Sequence, residues 1–265
     1  PHVPCVATKK YFDLYPLDKI KAVNYPPEHL EKIPKMAFGD RMESYRALTE
    51  QQQKKFIQAY LASVSFMDAQ FGKVLNAVDH LKLANDTIVV FASDHGWHLG
   101  EHGLWQKQSL FEESARVPLM IRVPGPKGNG KRVSRPVELL DIYPTVVEAA
   151  GFTVLPELEG KSLKPLLQNP KADWNRPAFT QVGTANSNRQ GRSVRTDRWT
   201  YIEWFGGEHG TQLYDYKADP KELNNLASDP KHAATIAELK TFLPSTGSAP
   251  TKDRGGRNRR QAGSE

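Results

Sequence analysis

The chain has 265 residues, 38% hydrophobic and 25% charged, with a net charge of +6; that is long enough for a full core and ordinary for a globular protein. A single cysteine, Cys5, excludes an internal disulfide framework, and no apolar run approaches the ~18 residues of a membrane helix. Much of the positive charge lies in Lys252, Arg254, Arg257, Arg259 and Arg260, so it reads as a solvated tail on a nearly balanced body, with no nucleic-acid partner expected. No signal peptide is recognisable. The chain opens on Pro1-His2 without a methionine, which reads as the rear portion of a longer protein.

Residues 1 to about 48 are rich in proline and lysine with no sustained period, which predicts packed irregular chain and one short helical turn; Cys5 is expected there as a buried small residue. Thr49-Glu-Gln-Gln52 is a capping box. Phe56, Tyr60, Val64, Met67, Phe71, Val74, Leu75, Val78 and Leu81 follow at helical spacing and predict a long amphipathic helix to about Leu83. Asn85-Asp86 makes a turn, and the β-branched run 87–92 predicts a buried strand. A helix feeding a buried strand is the repeating unit of a layered α/β fold.

Ser109 to Ser114 predicts a short helix capped by Ser109, and Val117 to Val123 a second buried strand. Val137 to Ala150 carries an apolar helical face and stops at Gly151, a residue suited to a helix C-terminus. Leu158 to Leu167 holds a short helical pattern. Past Trp174 the style changes. Val194 to Trp204 and Gln212 to Tyr216 alternate as strands around Gly206-Gly207-Glu208-His209-Gly210, predicting a hairpin in a small antiparallel sheet. Ala233 to Leu243 closes this part as a helix. The division expected is therefore 1–174, 175–243 and a disordered basic tail over 244–265.

The chemistry concentrates where strand 87–92 breaks into Ser93, Asp94, His95 and Gly96. Ligands of open α/β sheets sit beyond the carboxyl ends of strands, and an adjacent carboxylate and imidazole at that place read as half of a metal site, against the alternative of a simple helix cap. Oxygen-seeking calcium or magnesium favours Asp94, while the imidazole of His95 suits zinc equally. A three-histidine site of His95, His98 and His102 would need a helix that Gly96, Gly100 and Gly103 oppose, so His98 and His102 read as rim or structural residues bonded to backbone. Lys107 gains interest only from its nearness to Asp94. Glu112-Glu113 reads as a charged helix start.

Ser93-Asp-His-Gly-Trp-His-Leu-Gly-Glu-His-Gly-Leu-Trp-Gln-Lys107 and Phe111-Glu-Glu-Ser-Ala-Arg-Val-Pro-Leu119 resemble the metal and sulfate segment of the type I sulfatases. The Asp-His pair is similar to the iduronate-2-sulfatase branch. The likeness continues through Val137 to Thr145, Leu158 to Leu166, Arg192 to Tyr201 and Gln212 to Ala227. It implies an α/β fold of the alkaline phosphatase superfamily, helices on both sheet faces, with the strands that would precede residue 1 absent. It also implies hydrolysis of sulfate esters, of sulfated sugars in this branch, in an exported or lysosomal protein. Position by position, Asp94 and His95 would complete a calcium site and Lys107 would hold a sulfate oxygen. Pro1-His2-Val3-Pro4 is similar to a family segment whose histidine, here His2, contacts sulfate or protonates the leaving alcohol.

The sequence also departs from the family. Its nucleophile is a formylglycine made from a Cys-x-Pro-Ser-Arg cysteine; Cys5-Val-Ala-Thr-Lys9 lacks the proline and arginine, so the nucleophile is expected upstream and this chain alone is expected to be inactive. Arg189 and Arg192, beside the polar loop that starts at Gly183, are expected with His98 to read an anionic sugar. A phosphohydrolase of the same superfamily and a non-catalytic polyanion-binding remnant stay open as alternatives. Nothing in the sequence reports an oligomeric state.

Overall fold

In the computed structural model, the described residues are 3–23, 25–39, 47–125, 129–184 and 187–243. The expected tail lies outside them. The N-terminal region holds more regular turns than expected: helices α1 (Lys9–Phe12) and α2 (Pro27–Glu31), and 3₁₀ turns at Leu17–Lys19 and Lys35–Ala37. Proline explains three of these starts, since Pro16, Pro26 and Pro34 each precede the first turn and Pro27 sits at the first helical position of α2.

Helix α3 (Glu50–His80) begins at the capping box, where the Gln52 amide donates to Thr49 Oγ1 and the Thr49 amide donates to Gln52 Oε1. Its inner face packs Ile57 against Ile20 and Trp105, with Phe56 edge-on to Trp105 at 5.2 Å between ring centroids. Strand β1 (Val89–Ala92) pairs antiparallel with β4 (Leu119–Arg122), while β2 (His98–Leu99) and β3 (Trp105–Gln106) form a small hairpin between them. Both β1 and β4 were expected to be buried. Instead β1 is half-buried to exposed and β4 alternates, with Met120 57% exposed. Among the described residues their ladder has only two strands; Phe71 of α3 covers Phe91, and Leu163, Leu166 and Trp174 meet Leu119 and Ile121, which leaves Met120 largely uncovered.

Helix α4 (Glu112–Ala115) is shorter than expected, and Ser109 does not cap it. The Ser109 hydroxyl instead accepts from the Phe111 amide and bonds to His98. Helix α5 (Ile142–Ala149) follows a 3₁₀ turn and stops before Gly151, whose φ of +84° suits glycine. Helix α6 (Lys164–Gln168) carries Pro165 in its first turn.

The last part is a four-stranded antiparallel sheet, β5 (Ala178–Val182), β6 (Gly191–Arg195), β7 (Trp199–Trp204) and β8 (Thr211–Asp215), closed by α7 (Ala233–Phe242). The run expected as one strand over 194–204 is two, because Thr196 turns the chain back through backbone and hydroxyl bonds with Trp199. Strand alternation then divides the core. Val194, Tyr201 and Leu213 meet Leu239 of α7 on one face. Ile202, Trp204 and Tyr214 meet Ile33, Ala37, Leu104, Leu110 and Phe111 on the other. That second cluster draws from both sides of residue 175 and seats the sheet directly behind the loops after β1.

Candidate active site and the buried cluster behind it

Strand β1 ends at Ala92, and the Ser93 hydroxyl donates to the His95 carbonyl at 2.7 Å, tightening the turn. Asp94 projects into solvent with its side chain 85% exposed, and its Oδ1 accepts from the His95 amide. His95 Nδ1 lies 2.8 Å from the Gly96 carbonyl, which can only accept, so Nδ1 carries the hydrogen and Nε2 keeps its lone pair. Lys107 Nζ donates to that Nε2 at 2.9 Å, and Asp94 Oδ2 is 3.5 Å from it. Asp94, His95 and Lys107 therefore meet at one point. His2 lies outside the described residues.

Backbone geometry holds this meeting in place. Gly96 donates to the Ser114 carbonyl at 2.8 Å, and a Cβ there would lie 2.0 Å from the Glu113 carbonyl oxygen. Gln106 and Gln108, on either side of Lys107, have φ of +69° and +74°. Such left-handed backbone is costly for residues with a Cβ and persists where surrounding contacts impose it. Arg189 supplies such a contact. Its guanidinium donates to the carbonyls of Met36, Ala37 and Gln108 and lies over Trp204 at 5.0 Å. Trp97 stacks between His95 and Tyr60, at 6.1 and 6.0 Å.

The other expected residues lie elsewhere. Arg192 pairs with Glu203. His98 and His102 are structural residues and not rim ones: they are 0% and 1% exposed, folded inward by a turn in which Gly100 and Gly103 have φ of +120° and +70°. His98 Nε2 meets the Ser109 hydroxyl at 2.7 Å, and burial lowers its pKa to about 4. Around His102 no helix aligns three histidines; it has φ +54° inside a 3₁₀ turn. Cys5 is only half-buried, and that burial pushes its thiol up.

The sequence reading missed a cluster. His102 stacks on Phe111 at 3.8 Å and contacts His29 and Glu113 through its two ring nitrogens, while Glu222 lies buried beside them. Burial opposes ionisation of Glu113, but the hydrogen bond and charge of His102 outweigh it and hold the carboxyl below its usual range. Glu222 has no such partner, and burial raises its pKa to about 8. Glu113 is a charged helix start, as read, but its side chain turns inward.

The profile described as N-sulphoglucosamine sulphohydrolase, C-terminal, matches residues 100–247, and the Sulfatase profile matches residues 23–152. The chain belongs to the sulfatase family. It is 38% identical to a sulfatase of Formosa agariphila over 93% of the chain and 48% of that protein. It is 30% identical to the iduronate 2-sulfatase of Mus musculus over 91% of the chain and 58% of that protein. A solved phosphonate monoester hydrolase from Silicibacter pomeroyi superposes with a TM-score of 0.79 at 25% identity, over 91% of the chain and 53% of the other. The sulfatase chain thus spans about half the length of the relatives it matches, and the alkaline-phosphatase-like α/β architecture is shared. Among the described residues no helix is long and apolar enough to cross a membrane.

The donors of this sulfatase loop fit a divalent cation as part of a ligand set. Asp94 offers unshielded carboxylate oxygens, and His95 offers a lone pair whose direction the Gly96 carbonyl fixes. Calcium takes six to eight ligands, chiefly oxygens, so two residues are a minority of what it needs.

Proposed function

We propose that this chain is the C-terminal part of a sulfuric ester hydrolase acting on sulfated sugars, with calcium as its cation. The observation that carries the reading is the convergence of Lys107, His95 and exposed Asp94 at the carboxyl end of β1. Cleaving a sulfate ester spreads negative charge over the non-bridging oxygens and builds it on the leaving oxygen, and preorganised positive groups lower that barrier. A bound divalent cation would supply Lewis-acid stabilisation of those oxygens. Asp94 and His95 Nε2 would hold it. Because Nε2 accepts one partner at a time, Lys107 would leave it for a sulfate oxygen, where its ammonium neutralises charge. Trp97 and Tyr60 form an aromatic wall beside His95. The formylglycine nucleophile would come from the part of the relatives' length that this chain does not span, and residues 1–265 alone would be inactive.

Sugar sulfates are favoured by the 30% identity to an iduronate 2-sulfatase. The likeness to a phosphonate monoester hydrolase supports a second reading, hydrolysis of phosphonate or phosphate esters. Steady-state assays of the full-length protein separate them. A kcat/KM for a uronic-acid 2-sulfate well above that for an aryl phosphonate is expected; the reverse order would replace the sulfatase reading with the second one.

A further inference from the structure

His102, Glu113 and Glu222 come from three distant parts of the chain, yet one ligand atom from each lies within 4.8 Å of the others. Hydrogen-bond directions decide what this grouping can hold. His29 Nδ1 is 2.7 Å from the Leu223 carbonyl, so it must donate. A neutral His29 then presents its Nε2 lone pair to His102 Nδ1 at 2.8 Å, which must donate in turn. In a neutral His102 that leaves the Nε2 lone pair facing a carboxylate oxygen of Glu113 at 3.2 Å, a gap that either a proton or a cation can close. Two electron-rich atoms facing each other require a positive centre between them.

Glu222 is 0% exposed, and its Oε2 accepts from the Glu112 amide at 2.9 Å. Its Oε1 makes no hydrogen bond of good geometry; the Thr200 hydroxyl is near enough to favour the carboxylate, yet is itself left without a well-formed bond. A buried carboxylate oxygen left without a partner costs free energy that a ligand can recover. Protons could quiet this cluster only if two were added, one between His102 and Glu113 and one on Glu222. A single divalent cation does both, and with two carboxylates it forms a neutral buried unit.

We propose that His102 Nε2, Glu113 and Glu222 form a second metal site, separate from the Asp94 and His95 loop, that takes a zinc-class divalent cation. Imidazole nitrogen and carboxylate oxygen are both zinc donors, with bonds of about 2.0–2.2 Å and hence ligands roughly 3.3 Å apart around a tetrahedron. The 3.2 Å from His102 to Glu113 already has that spacing, and Glu222 needs only to close in. His29 acts as the positioning residue, fixing the His102 tautomer through a chain anchored on a carbonyl, as outer partners of metal-bound histidines do. The left-handed backbones of His102 and Glu222, φ +54° and +52°, are held against their local cost. The cation would pin the loop after β8 to α4, whose Glu113 and Ser114 carbonyls abut Gly96 of the candidate active site. The proposal rests on these distances and not on the sulfatase reading.

The test is zinc binding by the full-length protein after chelator stripping, followed by calorimetry and by the visible spectrum with Co²⁺. One Zn²⁺ is expected to survive in Asp94→Ala, with a four-coordinate Co²⁺ spectrum. In Glu222→Gln, which keeps the side-chain shape, zinc affinity is expected to fall at least about 10-fold while the fold, checked by circular dichroism, persists. His29→Ala is expected to weaken the site less, since it acts through His102. Zinc affinity unchanged in Glu222→Gln, or zinc binding abolished by Asp94→Ala alone, would overturn the assignment whatever the enzyme's substrate proves to be.

Discussion

Two groups of similar side chains lie on either side of Gly96. Asp94, His95 and Lys107 are in contact with solvent, with Asp94 largely exposed. His102, Glu113 and Glu222 lie behind, against the aromatic core of Phe111 and Tyr214. In the exposed group the aspartate is open to solvent and free to meet a cation. In the buried group each charge must be met: Glu113 has His102 and stays ionised, whereas Glu222 accepts from the Glu112 amide but has no cation beside it, and burial raises its pKa to about 8. The exposed group can meet its ligand from solvent, whereas the buried group must have its charge met in place, by protons or by the proposed cation, and burial makes the difference.

The sharpest way to break this pairing is at the contact between its halves. Gly96→Ala puts a Cβ 2.0 Å from the Glu113 carbonyl, a rigid backbone atom, so the loop or α4 must move. Overpacking of this kind typically costs about 1–3 kcal/mol. A fall in unfolding midpoint together with loss of activity is expected in thermal denaturation and turnover assays. Full stability in this variant would mean that the two groups are not mechanically joined.

Burial predicts a smaller effect that depends on pH. His98 is neutral in the folded protein down to about pH 4, whereas in the unfolded chain it binds a proton below about 6.5. The unfolded state thus binds more protons between those values, and stability falls as pH drops through that window. The contribution is at most about 3 kcal/mol. Denaturant titrations at pH 7 and pH 4.5 should show a loss on acidification that His98→Gln reduces. An identical pH dependence in both proteins would sink the burial argument.

The exposed group was legible because it is local: Asp94, His95 and Lys107 fall within one short stretch after a strand, where chain geometry leaves few choices. The long helix was legible for a similar reason, since the Thr49 box and the periodic face after Phe56 act over neighbouring residues. The buried group is spread over positions 29, 102, 113 and 222, and its only local traces were glycines at 100 and 103 that excluded a helix. Pairing over such separations is set by packing of the C-terminal sheet on α4, which no short window encodes. Arg189 shows the same limit. Its polar surroundings suggested a ligand reader, yet its donors reach back to Met36, Ala37 and Gln108. The burial expected for β1 and β4 failed because hydrophobic runs report what a strand can bury, not how many neighbours cover it.

The central claim is that the exposed group does chemistry and is not needed to hold the fold. Turnover of a sulfate ester by the full-length protein carrying Lys107→Ala or Asp94→Asn tests this directly, with denaturation measured on the same samples. Loss of one preorganised charge should lower kcat by about 10²–10³, while stability stays within about 0.5 kcal/mol of the unmodified protein, as for other exposed positions. Undiminished turnover in both variants would contradict the account.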